Sequence, residues 1–196
     1  MSTADPEKWL LFYRSFFQTD SDARAFVTPL EALHLGDARH QAKIMMHQAQ
    51  RLVSLADDLP TVRKGNETLQ LLFLLVCAEH IAKLAHNFDR DGSSRRYVQN
   101  FFRWFLSQDQ QRQLSLGIAK HDHSPLSLRQ ALDALYDVRC DVVHEGRYWG
   151  FHFRVREDPI LNCEPDVIVS LTLCEFRQLV VRGCISAIQT YPRVLE

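Results

Sequence analysis

Eight consecutive apolar residues, Leu71-Leu-Phe-Leu-Leu-Val-Cys-Ala78, constrain this chain more than any other feature. At 3.6 residues per turn such a run leaves no polar stripe. A helix built from it is apolar all round and must be covered on every side. The run is far short of the roughly 20 residues that span a bilayer, so the cover has to come from other parts of the chain. With 196 residues, 46% of them hydrophobic, one domain with its own core is expected over 1–196. Seven Gly and seven Pro are few, which suits a helix-rich fold.

Helical periodicity supplies the covering elements. Trp9 to Phe17 is an aromatic-rich helical segment, and Asp20-Ser-Asp22 and Thr28-Pro29 read as turn or cap chemistry. An amphipathic helix is expected from about Asp37 to Leu55, closed by Asp57-Asp-Leu-Pro60. The apolar helix itself should begin after Asn66, a candidate N-cap, and run to about Phe88. Asp89 to Ser94 reads as a loop, Arg95 to Leu106 as a helix crowded with aromatics, and Ser107 to Ser124 as a polar stretch without a clear period. Pro125 or Ser127 opens the next helix, and Gly146 closes it as a left-handed C-cap.

After Gly146 the period changes. Tyr148 to Val155 and Val167 to Leu173 are rich in aromatic and β-branched residues, and they predict two strands of a hairpin inserted at about 148–173. Cys174 to Tyr191 returns to helix and ends at Pro192. The expectation is a mainly α, up-and-down bundle with a small C-terminal β-hairpin before the last helix.

A net charge of -1 provides no global basic field, so any nucleic acid would have to meet a local patch. Five cysteines without a C-x-x-C pair argue against a disulfide framework and a structural zinc site, and suit a reducing cytoplasm. The N-terminal MSTADPEKW lacks the basic-then-apolar pattern of a signal peptide, so a cytoplasmic protein without a membrane anchor is expected.

The chemistry concentrates in Leu135-Tyr-Asp-Val-Arg-Cys-Asp-Val-Val-His-Glu-Gly146. Leu128, Leu132, Leu135 and Val142 form an apolar stripe, and Arg139 lies on or beside it, where a charge needs a partner. His144 follows by five residues, about 140° around an ideal helix. The two side chains converge only if the helix distorts near His144 or if a second copy brings its own pair. Asp137 and Asp141 are placed to orient the imidazole, and the helix dipole favours its charged form. The alternative is an ordinary intrahelical salt bridge for Arg139 and an ordinary helix-end histidine.

This segment resembles the signature helix of the HEPN superfamily, in which Arg is followed after four to six residues by His near a helix end. The apolar pair before His144 and the Glu-Gly after it are similar to the Apea-like branch. The resemblance covers about a dozen residues closely and the rest loosely. It implies a homodimer with the motif helices face to face. It also implies a metal-independent endoribonuclease, in a toxin or defence system with an antitoxin or other partner protein, or else a non-catalytic domain binding RNA, a nucleotide or a protein. Arg139 and His144 would be catalytic, with Glu79 as the supporting acid and RNA, for example tRNA, as substrate. No cofactor or metal is implied. The residue after the arginine, often Asn, Asp or His in active members, is Cys140 here.

Several side chains carry two readings. Glu79 could instead pair with Lys83 at i,i+4. Tyr136, three residues before Arg139, could hold a phosphate or pack in the core. Arg90, Arg95, Arg96 and Arg103 interleave with Tyr97, Phe101, Phe102, Trp104 and Phe105, either as an RNA surface or as the edge of a core. Of these, Arg95 and Arg96 are the candidate substrate contacts. His40 and His47, and His121 and His123, match no zinc spacing.

Overall fold

The computed structural model describes residues 6–62, 65, 67–86 and 92–192. Asn66, the candidate cap, and Arg90 lie outside these residues. The described elements are α1 (Pro6–Tyr13), extended by a 3-10 turn over Arg14–Phe16, α2 (Asp20–Glu31), α3 (His40–Val62) and α4 (Glu67–Ala85). They continue with α5 (Ser94–Phe105), α6 (Gln108–Leu116), β1 (Ile118–Lys120) and α7 (Leu128–Glu145). The chain closes with β2 (Ile160–Cys163), β3 (Asp166–Val169) and α8 (Leu173–Thr190). The protein is mainly helical with a small antiparallel sheet, as its periodicity predicts.

Helix α4 is the axis of the bundle. It packs against α3, α5, α7 and α8, and Leu71, Leu74, Leu75, Cys77, Ala78 and Ile81 are almost entirely enclosed. Taken over its full 19 residues it is long and apolar enough, by composition alone, to cross a bilayer, yet 61% of its most apolar window is buried inside the protein. The cover is aromatic. Phe101, Phe102, Phe105 and Phe176 join one continuous cluster with the α4 leucines, and Tyr13 reaches in from α1 to donate a hydrogen bond of 2.7 Å to the Met46 carbonyl. Burial holds the Tyr13 phenol well above its ordinary pKa.

Helix ends follow their local chemistry. Ser107, Ser127 and Thr172 each close a capping box, with Gln110, Gln130 and Glu175 respectively. Gly146 adopts φ 67° at the end of α7, a conformation open to glycine at no steric cost.

Two proline readings need correction. Asp20–Asp22 is the cap alternative, the first turn of α2 where the Thr19 side chain accepts from the Asp22 N–H, but Thr28-Pro29 is no turn and lies in the last turn of the helix. Helix α3 does not stop before Pro60 but runs through it to Val62. Pro60 has no N–H for the carbonyl of Ala56, four residues back. That carbonyl instead accepts a bond of 3.0 Å from the Gln70 side chain on α4, so a neighbouring helix repairs the defect.

The predicted hairpin also differs. Residues 148–155 form no strand, although Phe151 and Phe153 are buried. Their backbone groups are satisfied mainly by side chains. Thr68 donates to the Phe151 carbonyl (3.0 Å), and Glu67 accepts from the Phe153 N–H (2.9 Å). Asn162 both accepts from the His152 N–H (2.8 Å) and donates to the His152 carbonyl (3.0 Å). Alternating aromatic residues therefore enter the core without a ladder. The true hairpin is β2–β3, pairing Ile160 with Val169 through Cys163 with Asp166. The polar stretch that lacked a period supplies α6 and the third strand, β1, with Ile118 opposite Val169.

Helices α5 and α8 touch at Gly183, where an added Cβ would lie 2.6 Å from the Phe101 ring. Alanine would gain about 1 kcal/mol of helix propensity, but Phe101 is fully enclosed and cannot retreat. Gly183→Ala is expected to be destabilising by about 1–2 kcal/mol net, read as a lower urea midpoint with an unchanged m-value.

Candidate functional site

Glu79 sits at the polar end of the apolar run in α4, only 8% exposed. A buried carboxylate needs donors, and three elements provide them. Lys83, one turn along α4, donates from Nζ to Oε1 at 2.6 Å. Ser94, the first residue of α5, donates its hydroxyl to the same oxygen at 2.6 Å. Arg139 on α7 brings Nη2 to 3.7 Å from Oε2. Glu79 thus contacts both Arg139 and Lys83, the latter in a buried setting and not on a solvated face.

The Arg139 side chain is 18% exposed. Its guanidinium lies over the Tyr136 ring at 5.3 Å, and that of Arg95 lies over the same ring at 4.8 Å. Tyr136 is itself buried and hydrogen-bonded to Ser94, and burial holds its phenol protonated above the usual range, against the pull of Arg139. It both packs and lines the site. Arg139 makes an ion pair but no hydrogen bond among the described residues, so its N–H groups remain available to an anion at the surface edge of the cluster.

Arg95 is tied to Asp133 at 3.2 Å and to Asp137. Gln99 donates to the same Asp133 at 2.7 Å. Arg96 is exposed and has no ion pair among the described residues. Tyr97, Phe101, Phe102 and Phe105 are buried, so these rings belong to the core and not to an RNA surface, whereas Trp104 is partly exposed and packs on His86.

His144 stands exposed in the last turn of α7. Among the described residues neither Asp137 nor Asp141 bonds to its ring, and Asp137 is turned to Arg95. Helix α7 stays regular through Glu145. Arg139 and His144 therefore keep their angular separation of about 140° and an axial rise of about 7.5 Å. Within one chain they do not converge. Half-buried Cys140 and Val143, 49% exposed, lie between them on the helix surface.

The other histidines fall elsewhere. His47 bonds to Glu31 and stacks on Trp9 at 4.1 Å, and His121 lies 3.7 Å from Asp166. Among the described residues no three metal-binding side chains come together. Ser94 is the site residue that the sequence hid, because its loop-like neighbours obscure the start of α5.

Removing the acid should cost more stability than removing the arginine. Glu79→Ala leaves two cations and a hydroxyl without their partner, an expected loss of about 2–4 kcal/mol. Arg139→Ala leaves Glu79 still bonded to Lys83 and Ser94, an expected loss of about 1 kcal/mol. Urea unfolding of both variants measures the order. Comparison of the chain with protein-family models, with curated proteins and with solved structures found no significant match.

Proposed function

We propose that the protein is a metal-independent endoribonuclease of the HEPN type, active as a homodimer. The observation that supports this reading is Arg139. It is anchored from behind by Glu79 and Tyr136, yet it has N–H groups left for an anion, on the same helix as an exposed His144. Anchoring lowers the entropy lost when a guanidinium grips a phosphate.

In the proposed reaction an imidazole accepts the ribose 2′-OH proton as that oxygen attacks the adjacent phosphorus. The bond from phosphorus to the 5′-oxygen breaks, and the leaving oxygen takes up a proton. Arg139 holds the phosphoryl oxygens as charge builds on them. The products are a 2′,3′-cyclic phosphate and a 5′-OH, and DNA is left intact. Because α7 is unbroken, the imidazole beside each Arg139 is the one from the second copy, with two α7 helices facing each other across a two-fold axis. A role in a toxin or defence system, with an antitoxin or other partner, belongs to the same reading.

A second reading has support in the same cluster. The ion pair to Glu79 and the separation of Arg139 from His144 suit a non-catalytic domain in which Arg139 binds RNA, a nucleotide or a partner and no bond is broken.

Cleavage of total RNA and labelled tRNA in EDTA separates the two. Wild type is expected to leave cyclic phosphate ends, while Arg139→Ala and His144→Ala each lose about 10²–10⁴-fold in rate. Equal cleavage by all three proteins, or none by wild type, overturns the catalytic reading.

Mixing the two inactive variants tests the shared site. With random exchange, half of the dimers are mixed, and each holds one intact site of two, so about a quarter of wild-type activity should return. No recovery, with exchange confirmed by native mass spectrometry, would place both groups in one chain.

A further inference from the structure

Cys77 on α4 and Cys184 on α8 are the fully buried cysteines, and their sulfurs lie 3.7 Å apart as a hydrogen-bonded thiol pair. They stand 107 residues apart in sequence, yet the helices that carry them pack on each other at the axis of the bundle. Cys140, Cys163 and Cys174 are half-buried or exposed, and they form no such pair among the described residues. A disulfide bond is about 2.0 Å long, so the two sulfurs must close by about 1.7 Å. That distance is within the swing of a thiol between staggered rotamers.

Helix α1 shields the pair. Its fully buried Tyr13 reaches inward, and the phenol lies close enough to feel both thiols. The helix is only eight residues long. It is held to α3 by the hydrogen bond from Tyr13 to the Met46 carbonyl and by the Trp9 ring stacked on His47 at 4.1 Å. A short outer helix opens at a lower free energy than the core beneath it. While α1 is in place, burial pushes the Cys184 thiol up, so it stays protonated and unreactive. Once α1 lifts, water reaches the sulfurs and a thiolate can form.

We propose that Cys77 and Cys184 form a redox latch: hydrogen peroxide reaches the pair when α1 opens and leaves a disulfide that ties α4 to α8. One thiolate attacks a peroxide oxygen and the O–O bond breaks, which gives a sulfenic acid and a hydroxide that takes up the thiol proton as water. The second sulfur then attacks the first, the S–O bond breaks, and the departing hydroxide leaves as water with the second thiol proton. Two electrons pass from the two thiols to one peroxide, and two waters are released. The new bond closes a loop of more than 100 residues, which restricts the unfolded chain and resists unfolding. It also fixes α4 two residues before Glu79, the anchor of Arg139. The latch is independent of whether the protein cleaves RNA.

The test uses the full chain with Cys140→Ser, Cys163→Ser and Cys174→Ser, which keeps the buried pair alone. The folded protein is treated with hydrogen peroxide, quenched with catalase, unfolded in N-ethylmaleimide and digested for mass spectrometry. The expected product has lost two hydrogens, carries a peptide linked through Cys77 and Cys184, and unfolds at a higher urea midpoint that dithiothreitol restores. Adding Tyr13→Phe removes the bond to Met46 and should speed the crosslinking by about 3–10-fold. Adding Ala131→Gly instead weakens α7, away from α1, by a similar amount and should leave the rate unchanged. Three results would overturn the latch. One is oxidation to sulfinic acids without a Cys77–Cys184 link. Another is a crosslinked protein whose urea midpoint is not raised. The third is an equal acceleration by Tyr13→Phe and Ala131→Gly, which would mean that oxidation follows global unfolding and not the opening of α1.

Discussion

One carboxylate organises the centre of this protein. Glu79 ends the most apolar stretch of a helix packed on four neighbours, so it can neither move to water nor stay unpaired without a penalty of several kcal/mol. Its partners come from its own helix, from the first residue of α5 and from the middle of α7. The buried acid is therefore shared by three helices, while the apolar stripe of Leu132, Leu135 and Val142 turns α7 inward. Around it, three cations (Lys83, Arg95, Arg139) face three carboxylates (Glu79, Asp133, Asp137).

Helices were legible where a local rule acts alone. The Leu71–Ala78 run announces a central helix, and the Ser127 start and Gly146 stop of α7 follow from capping chemistry. The reading failed where a tertiary partner overrides a local rule. Pro60 looks like a terminator until Gln70 takes over the carbonyl it abandons. The 148–155 segment alternates like a strand, but Glu67, Thr68 and Asn162 do the work of a ladder. Strand β1 is only three residues long and carries no periodic signal of its own.

The candidate site was legible in its members and not in their arrangement. Arg139 stands out because a charge on an apolar face needs a reason, and Tyr136 because it lies one turn before it, whereas His144 and Glu79 are singled out by the family resemblance. Ser94 does not stand out, since a serine after a polar loop has many uses. The angular gap between Arg139 and His144 follows from spacing alone, but only the uninterrupted course of α7 shows that nothing closes it within one chain.

The sheet limits how this molecule can meet others. Its order is β1-β3-β2, so both edges are short strands of three and four residues. The β1 edge is folded over by its own turn, through the Ala119–Pro125 bridge and the Lys120 N–H bonded to the Ser124 carbonyl. An incoming strand finds few open backbone groups there. Edge-to-edge growth, the common route from small sheets to polymers, has little to start from on that side of the sheet.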